Sequence, residues 1–140
     1  MLNFDDLLAA FDWVSADPSA ENAAYVHRVT GQVFWESDDE LPDDLDDGTL
    51  YLAVPHKHDL DLGKSLVFDF VKEQIEDEYD KVDGFFKRPG AYGRFKDLLE
   101  RKHLLSAWHE FEAKSVEAAL VQWLTENAVL FEIRPATPAV

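Results

Sequence analysis

The sequence predicts an α+β fold: a small antiparallel sheet, made of a hairpin plus one or two strands, packed against several helices. Strand-like runs precede Pro55, and segments with helical periodicity follow from Ser65 onward. Hydrophobic residues make up 46% of the 140 residues and aromatic residues 13%, which is enough to build a buried core. We therefore expect a single α+β domain over residues 1–134, with a helical C-terminal half, and a proline-containing tail over residues 135–140.

A short amphipathic helix is expected at the start of the chain. Residues 2–14 place apolar side chains near helical spacing, and Asn3 is able to cap the helix. Asp5 and Asp6 suit the N-terminal end of its dipole, where negative charge is stabilising. The sequence Asp17-Pro18-Ser19 then predicts a turn, because proline and small polar residues stop a helix.

Two β-rich runs, residues 24–29 and 32–36, flank Thr30-Gly31. Glycine supplies the positive φ that a tight hairpin turn needs, so these runs predict a β-hairpin. A third short strand is expected over residues 50–54, where Pro55 ends it. The three strands are expected to form the antiparallel sheet.

The segment from Glu36 to Asp47 contains eight acidic residues and no base, and their mutual repulsion predicts a solvated loop. Its end invites a calcium interpretation, because an EF-hand loop has oxygen ligands at its first, third and fifth positions and glycine at the sixth. When that pattern is aligned on Gly48, Leu45 occupies the third position, and Val54 occupies the twelfth, where a glutamate should lie. The segment therefore predicts no calcium site.

Three segments with one apolar face predict helices, at residues 65–82, 91–102 and 104–124. The first should be a single helix of about five turns. Pro89-Gly90 separates the first two helices, and Ser115 is a candidate position for a kink or a new cap in the third. Residues 129–133 predict a terminal strand. The large side chains that we expect to be buried are Trp35, Phe70, Phe95, Trp108, Leu120 and Trp123.

Acidic residues outnumber basic ones by 29 to 13, which gives a formal net charge of −16. Such a charge repels phosphate backbones and anionic lipids, so nucleic-acid binding would need a local basic patch. The chain has no cysteine, which excludes disulfides, thiolate zinc sites and thiol catalysis. It has no apolar run near the roughly 18 residues that span a bilayer, and Met1 leads into Asp5 and Asp6 rather than into a basic, apolar segment, so we expect no signal peptide. We expect a soluble, cytoplasmic protein with no membrane partner.

The sequence names no catalytic residue, and we expect neither a cofactor nor a bound metal. His56 and His58 resemble the paired histidines of metallohydrolases, but Leu60 stands where those sites carry an aspartate. The chain has no Gly-x-Ser-x-Gly elbow, no Walker-type phosphate loop and no dinucleotide glycine fingerprint. The histidine pair is therefore more typical of an exposed polar loop, and we lean towards a protein that is not an enzyme.

One segment departs from the acidic background. Residues 87–102, called the basic segment below, hold six of the 13 bases against Asp97 and Glu100, so the segment carries +4 and the rest of the chain −20. Aromatic residues alternate with these bases, a combination that suits phosphate contact and base stacking, or an acidic protein segment. The candidate partner-binding residues are Lys87, Arg88, Tyr92, Arg94, Lys96 and Arg101. In the structural alternative, the bases neutralise the molecule's own acids and the aromatic rings pack in the core.

Several residues resemble those of a known family. They are Tyr25, Thr30-Gly31, Trp35, the 51–55 strand, Asp69-Phe70 and, above all, the run Gly90-Ala91-Tyr92-Gly93-Arg94-Phe95-Lys96-Asp97. The similarity continues through Trp108, Phe111, Ala119 and Trp123-Leu124 to Asn127. Over roughly residues 1–128 the chain thus resembles uncharacterised protein family 0158. The resemblance implies a small bacterial cytoplasmic protein with no established activity, and it lends no catalytic residues.

Three functions follow as hypotheses. The first is a nonenzymatic binding or regulatory module that engages an anionic protein segment or a nucleic acid through the basic segment, in which the rings of Tyr92 and Phe95 position the neighbouring bases. The second is a regulator whose acidic surface mimics nucleic acid and binds a basic protein. The third, ranked last, is a hydrolase or metal-dependent enzyme that uses His56 and His58.

Overall fold

The computed structural model describes residues 1–16 and 21–132. These residues divide into two compact units, which we call the sheet unit and the helical unit. The sheet unit comprises Met1–Leu60 and the described residues from Leu120 onward, and the helical unit comprises Asp61–Ala119. Each unit is described separately below.

The predicted α+β class is confirmed, because the described residues contain five α-helices, a three-stranded antiparallel sheet and a two-stranded parallel sheet. In chain order the elements are β1 (Leu2–Asn3), α1 (Phe4–Ala16), β2 (Ala24–His27), β3 (Val33–Trp35), β4 (Tyr51–Ala53), α2 (Lys64–Gln74), α3 (Tyr79–Phe85), α4 (Ala91–Arg101), α5 (Leu105–Glu126) and β5 (Phe131–Glu132). The turn predicted at residues 17–19 and the tail over residues 135–140 lie outside the described residues. The single domain over residues 1–134 stays a prediction.

In the sheet unit, β2 is the central strand of the order β3-β2-β4, and both pairings are antiparallel. Val26 lies opposite Val33 of β3 and opposite Leu52 of β4, so the predicted hairpin and third strand are confirmed. Helix α1 packs on β2 and β3 and buries Leu7 and Phe11. The apolar stripe of α1 therefore finds its partner in this sheet.

Helix α1 begins at Phe4 rather than at residue 2, because the two preceding residues form β1, which pairs in parallel with β5. The Oδ1 atom of Asn3 accepts a hydrogen bond from the backbone N–H of Asp5 at 2.8 Å, so Asn3 caps the helix as predicted. The strand expected within residues 129–133 is present as β5. Leu2 fits the helical spacing as well as it fits a strand, which explains the misplaced boundary.

The hairpin turn contains Gly31 at a φ of 76°, as the sequence predicted. The backbone N–H of Gly31 donates to the carbonyl of His27 at 2.9 Å. The Nδ1 atom of His27 accepts hydrogen bonds from the N–H groups of Val29 and Thr30, at 3.2 and 3.1 Å. A side chain on Gly31 would point into the backbone of Leu2. The turn is thus closed by an imidazole on one side and by β1 on the other.

Residues 36–47 form turns and bends in which every carboxylate is exposed, so the predicted acidic loop is confirmed. Its C-terminal end is held by Asp47, whose Oδ1 accepts from the hydroxyl and the N–H of Thr49 at 2.6 and 2.9 Å. These two hydrogen bonds lower the pKa of the Asp47 carboxyl below its ordinary value. The hydroxyl of Tyr51 donates to Asp44 at 3.1 Å, which joins the loop to β4.

In the helical unit, the single helix predicted over residues 65–82 is wrong, because two helices occupy this segment. Helix α2 ends at Gln74, Ile75 leaves the helical conformation at φ −145° and ψ 52°, and one turn of 3-10 helix leads into α3. Residues 73–80 contain five carboxylates. In a continuous helix, four of them would each have another carboxylate three or four positions away, and like charges at that spacing are destabilising. Ile75 stays buried through the break, so the apolar periodicity conceals it.

The remaining helices of this part of the chain match their predicted extents to within two residues. Helix α4 ends one residue earlier than the predicted span 91–102, and α5 runs without interruption through Ser115. The new cap considered at Ser115 was therefore wrong, whereas the kink stays a prediction. The Oγ of Ser115 donates to the carbonyl of Phe111, one turn earlier, at 2.8 Å, which satisfies the hydroxyl inside an intact helix.

The core of the helical unit is built around Trp108. The rings of Phe70 and Phe95 meet it edge-on, with centroid distances of 5.4 and 5.1 Å and interplanar angles of 75° and 86°. All three side chains are at most 2% exposed. Edge-to-face packing adds a favourable aromatic interaction to the burial of apolar area, so this cluster fixes the arrangement of α2, α4 and α5 within the unit.

Of the six large side chains expected to be buried, Trp35 and Trp123 are only partly buried. Trp35 packs against Trp13 of α1, with ring centroids 5.0 Å apart. On α5, Leu120 and Leu124 occupy the inward stripe, and both have no exposed surface. Trp123 precedes Leu124 by one position, about 100° around the helix, and so lies at the flank of that stripe.

We expect Gly31→Ala to reduce the free energy of unfolding by more than about 2 kcal/mol. The left-handed conformation costs an L residue about 1–2 kcal/mol, and the added Cβ would also collide with the backbone of Leu2. Gly48→Ala is the matched control, since nothing lies within 4 Å of its Cβ position. It should change stability by less than about 0.5 kcal/mol. Urea denaturation measures both, and equal losses would contradict this account.

We expect Thr49→Val to raise the pKa of the Asp47 carboxyl, because the variant keeps the shape of the side chain and removes its hydroxyl donor. The folded pKa of Asp47 lies below its unfolded value, so the interaction stabilises the fold above the unfolded value of about 3.9. That contribution is lost as the pH falls through the folded pKa. Carboxyl 13C NMR titration measures the change. Thr125→Val is the control, because the hydroxyl of Thr125 donates to the carbonyl of Val121 on α5, and it should leave the pKa of Asp47 unchanged.

Candidate functional site

The basic segment begins after α3 and ends just beyond α4. Pro89 and Gly90 separate the helices, and Gly90 takes a left-handed φ of 80° immediately before α4. The backbone N–H of Arg94 donates to the carbonyl of Gly90 at 3.2 Å, so the first turn of the helix closes directly on the glycine. The proline and glycine therefore set where α4 starts, as the sequence suggested.

Helix α4 buries one face, formed by Phe95, Leu98 and Leu99. Phe95 has no exposed surface and packs edge-on against Trp108. Because successive helical residues are about 100° apart, this anchoring directs the neighbouring positions on either side of Phe95 away from the core. The burial of Phe95 thus fixes the rotation of α4 about its axis, and this rotation determines where the neighbouring bases lie.

The six candidate residues differ in exposure. Five are exposed, namely Lys87, Arg88, Tyr92, Lys96 and Arg101. Arg94 is half-buried, and its Nη1 donates to the carbonyl of Pro89 at 2.8 Å. The guanidinium of Arg94 therefore braces the loop before α4, and a backbone carbonyl holds it rather than the rings that the sequence suggested.

Most bases of the segment have no acidic partner in the part of the chain that the structure describes. Across residues 1–16 and 21–132, no carboxylate lies within 4.0 Å of the charged groups of four of them, Arg88, Arg94, Lys96 and Arg101. Lys87 pairs with Asp83 at 3.5 Å, and Lys102 pairs with Glu78 at 3.2 Å. Self-neutralisation, the structural alternative, therefore accounts for two of the six bases.

The candidates on α4 fall into two groups. Tyr92 and Lys96 are four residues apart and share one face of the helix. Arg94 and Arg101 are seven residues apart and share another face, on which Asp97 lies between them. The structure thus brings the candidates together in pairs around the helix instead of on one continuous basic face.

Tyr92 is the most exposed aromatic side chain of the segment, with 41% of its surface accessible. Its ring meets Phe86 edge-on, with centroids 5.2 Å apart and an interplanar angle of 84°. Partial burial and the negative charge of Glu112 on α5 raise the pKa of its hydroxyl above the ordinary tyrosine value. The hydroxyl therefore stays protonated at neutral pH.

The sequence interpretation missed an aromatic row that continues from Tyr92. We give this name to the rings of Tyr92, Phe86, Phe68 and Tyr79, which lie in that order with centroid distances of 5.2, 5.6 and 5.1 Å. The Nζ of Lys64 lies 5.6 Å from the ring centroids of both Phe68 and Phe86, and that of Lys72 lies 5.9 Å from Tyr79. One sequence signal was available, because Lys64, Phe68 and Lys72 are spaced by four on α2.

The histidine pair near β4 serves the local backbone. His56 is buried rather than exposed as expected, and its backbone N–H donates to Oδ2 of Asp59 at 3.0 Å. Its Nδ1 accepts from the backbone N–H of His58 at 3.1 Å. In the described part of the chain, no group of three or more His, Asp or Glu residues is placed to hold a metal ion. The described residues therefore provide no metal site at this histidine pair for the enzyme hypothesis.

Comparison with known proteins adds no relative: no family model, curated protein or solved structure matches the chain. The resemblance to uncharacterised protein family 0158 therefore stays a prediction. None of the helices in the described ranges is both long and apolar enough to cross a membrane.

Arg94→Met and Lys96→Met remove the same charge from neighbouring positions, but we expect them to differ in stability. Arg94→Met should cost about 1 kcal/mol, because it removes the hydrogen bond to the Pro89 carbonyl. Lys96→Met should change stability by less than about 0.5 kcal/mol, since its side chain is exposed and has no ion pair within the described residues. Urea denaturation measures both. A loss of about 3–5 kcal/mol at Lys96 would instead indicate a buried ion pair.

Proposed function

We propose that this protein is a nonenzymatic binding module that engages an anionic partner through the basic segment, in the bacterial cytoplasm. The observation that carries the proposal is the set of four bases without an acidic partner among the described residues of a molecule whose net charge is −16. With 29 carboxylates in the chain, pairing within the molecule would be the simplest use of these bases. Their unneutralised charges favour an external partner instead.

The charge of the whole molecule does not prevent such binding. Within the described residues, the sheet unit holds 15 acids and two bases and carries −13, whereas the helical unit holds 13 acids and ten bases and carries −3. At physiological ionic strength the Debye length is about 8 Å, so exposed charges farther away than this are largely screened. A partner at the basic segment therefore responds mainly to the charges of the segment itself, which sum to +4.

The same charge distribution favours a second candidate function. Arg28 and Lys57 are the two bases in the described part of the sheet unit, and every carboxylate of the acidic loop of residues 36–47 is exposed. A regulator that mimics nucleic acid and occupies a basic protein groove would use this unit. The two functions predict partners of opposite charge, so one set of measurements separates them.

We expect the wild-type protein to bind at least one of two fluorescent polyanions, a 20-residue glutamate peptide or a 20-nucleotide thymidine oligonucleotide. The variant Lys96→Gln with Arg101→Gln should bind at least about tenfold more weakly, because it removes from the basic segment two exposed charges that have no ion pair among the described residues. Fluorescence anisotropy at low and physiological salt measures the affinity.

The matched control is Lys81→Gln with Lys114→Gln, which removes two exposed charges from the same unit outside the basic segment. It should change the affinity less than twofold. Equal losses in the two variants, or no binding of either polyanion, would contradict the proposal. Binding of an arginine-rich peptide in place of the polyanions would support the acidic regulator.

A further inference from the structure

We propose that the aromatic row and the lysines beside it form a stacking surface for single-stranded nucleic acid, which therefore is the anionic partner. This inference rests on the proposed function and names the partner class. It goes further because the row and its lysines add residues outside the basic segment to the binding surface, namely Lys64, Phe68, Lys72, Tyr79 and Phe86.

The first step concerns the accessibility of the rings. Tyr92 is 41% exposed, and Phe86, Phe68 and Tyr79 are each partly exposed while they pack on the core of the helical unit. Neighbouring rings meet at interplanar angles of 84°, 52° and 52°. Because neighbouring rings meet at an angle rather than face to face, each ring contact covers at most one face of one of its two rings.

The second step concerns charge. Lys64 and Lys72 are exposed and lie over the row, and Lys96 shares the helix face of Tyr92. Glu78, next to Tyr79, pairs with Lys102, and Asp83, three residues before Phe86, pairs with Lys87. Asp69 and Asp80, next to Phe68 and Tyr79, are exposed and have no ion pair within the described residues. Glu112 remains close enough to Tyr92 to influence its hydroxyl, and it opposes a phosphate at that end of the row.

The third step distinguishes nucleic acid from an acidic peptide. A peptide of aspartate and glutamate gains from the bases alone and leaves the exposed rings in contact with water. Nucleobases offer flat π surfaces to such rings while their phosphates meet the lysines, which is how single-stranded nucleic acid is bound without sequence preference. The bases of a duplex are already stacked on each other, so the row selects single strands.

The inference is tested with three probes: a labelled 20-nucleotide thymidine strand, the same strand annealed to its complement, and a labelled 20-residue glutamate peptide. Tyr92→Leu keeps an apolar side chain and removes the aromatic face, whereas Tyr92→Phe keeps the face and removes the hydroxyl. We expect the single strand to bind Tyr92→Leu at least about tenfold more weakly and Tyr92→Phe within about twofold of wild type. Thermal denaturation checks that both variants fold.

Two further pairs of variants test the charges beside the row. Lys64→Gln with Lys72→Gln should make the negative slope of log affinity against log salt shallower by about 1.4, or about 0.7 for each lysine that no longer neutralises a phosphate. Lys81→Gln with Lys114→Gln should leave this slope unchanged. Glu112→Gln should tighten binding of the single strand, because it removes the repulsion next to Tyr92. Glu117→Gln, an equal charge change farther along α5, should have a smaller effect.

The outcomes separate this inference from the function on which it rests. Preference for the single strand together with weaker binding by Tyr92→Leu supports both. Equal binding of single strand and duplex, or full affinity in Tyr92→Leu, overturns the stacking surface and leaves a module that recognises charge alone. If the protein binds the glutamate peptide but does not bind the oligonucleotide, the inference is overturned and the proposed function stands. Binding of none of the three probes overturns both.

Discussion

The arrangement of the basic segment depends on the burial of Phe95 against Trp108. With Phe95, Leu98 and Leu99 directed into the core of the helical unit, the rotation of α4 about its own axis is fixed. A rotation by one position would move Lys96 to the place of Phe95 and put an unpaired ammonium group into an apolar core, at a cost of several kcal/mol. The apolar contact thus determines where the charges lie, although the charges contribute little to the stability of the helix.

Much of the candidate site could be predicted because its signals are local. Pro89 and Gly90 mark the start of α4, and the spacing of Phe95, Leu98 and Leu99 identifies its buried face. The pairing of Lys87 with Asp83 is also local, since the two residues are four apart on the chain. The pairing of Lys102 with Glu78 depends on tertiary packing and has no such signal. The aromatic row was missed for the same reason, because its rings come from α2, α3, α4 and the loop between the last two.

The errors in the predicted fold have a related origin. A hydrophobic pattern reports which side chains are buried, and Ile75 is buried whether or not the helix continues through it. The pattern therefore could not detect a change in backbone direction that leaves the burial unchanged. In β1, a strand of two residues has no periodicity of its own, and its partner lies in β5 at the far end of the described chain. Such a strand is defined by its pairing alone.

The parallel pairing of β1 with β5 has a consequence for the order in which the protein folds during synthesis. Residues 61–119 are contiguous, so the helical unit can form as soon as this segment has left the ribosome. The sheet unit is assembled from both sides of that segment, and Leu2 must wait for Phe131 before it acquires its strand partner. Until then the nascent chain presents a folded group of helices next to an N-terminal part whose first strand is unpaired. Leu2 and Asn3 are thus translated before the helical unit but complete their strand hydrogen bonds after it.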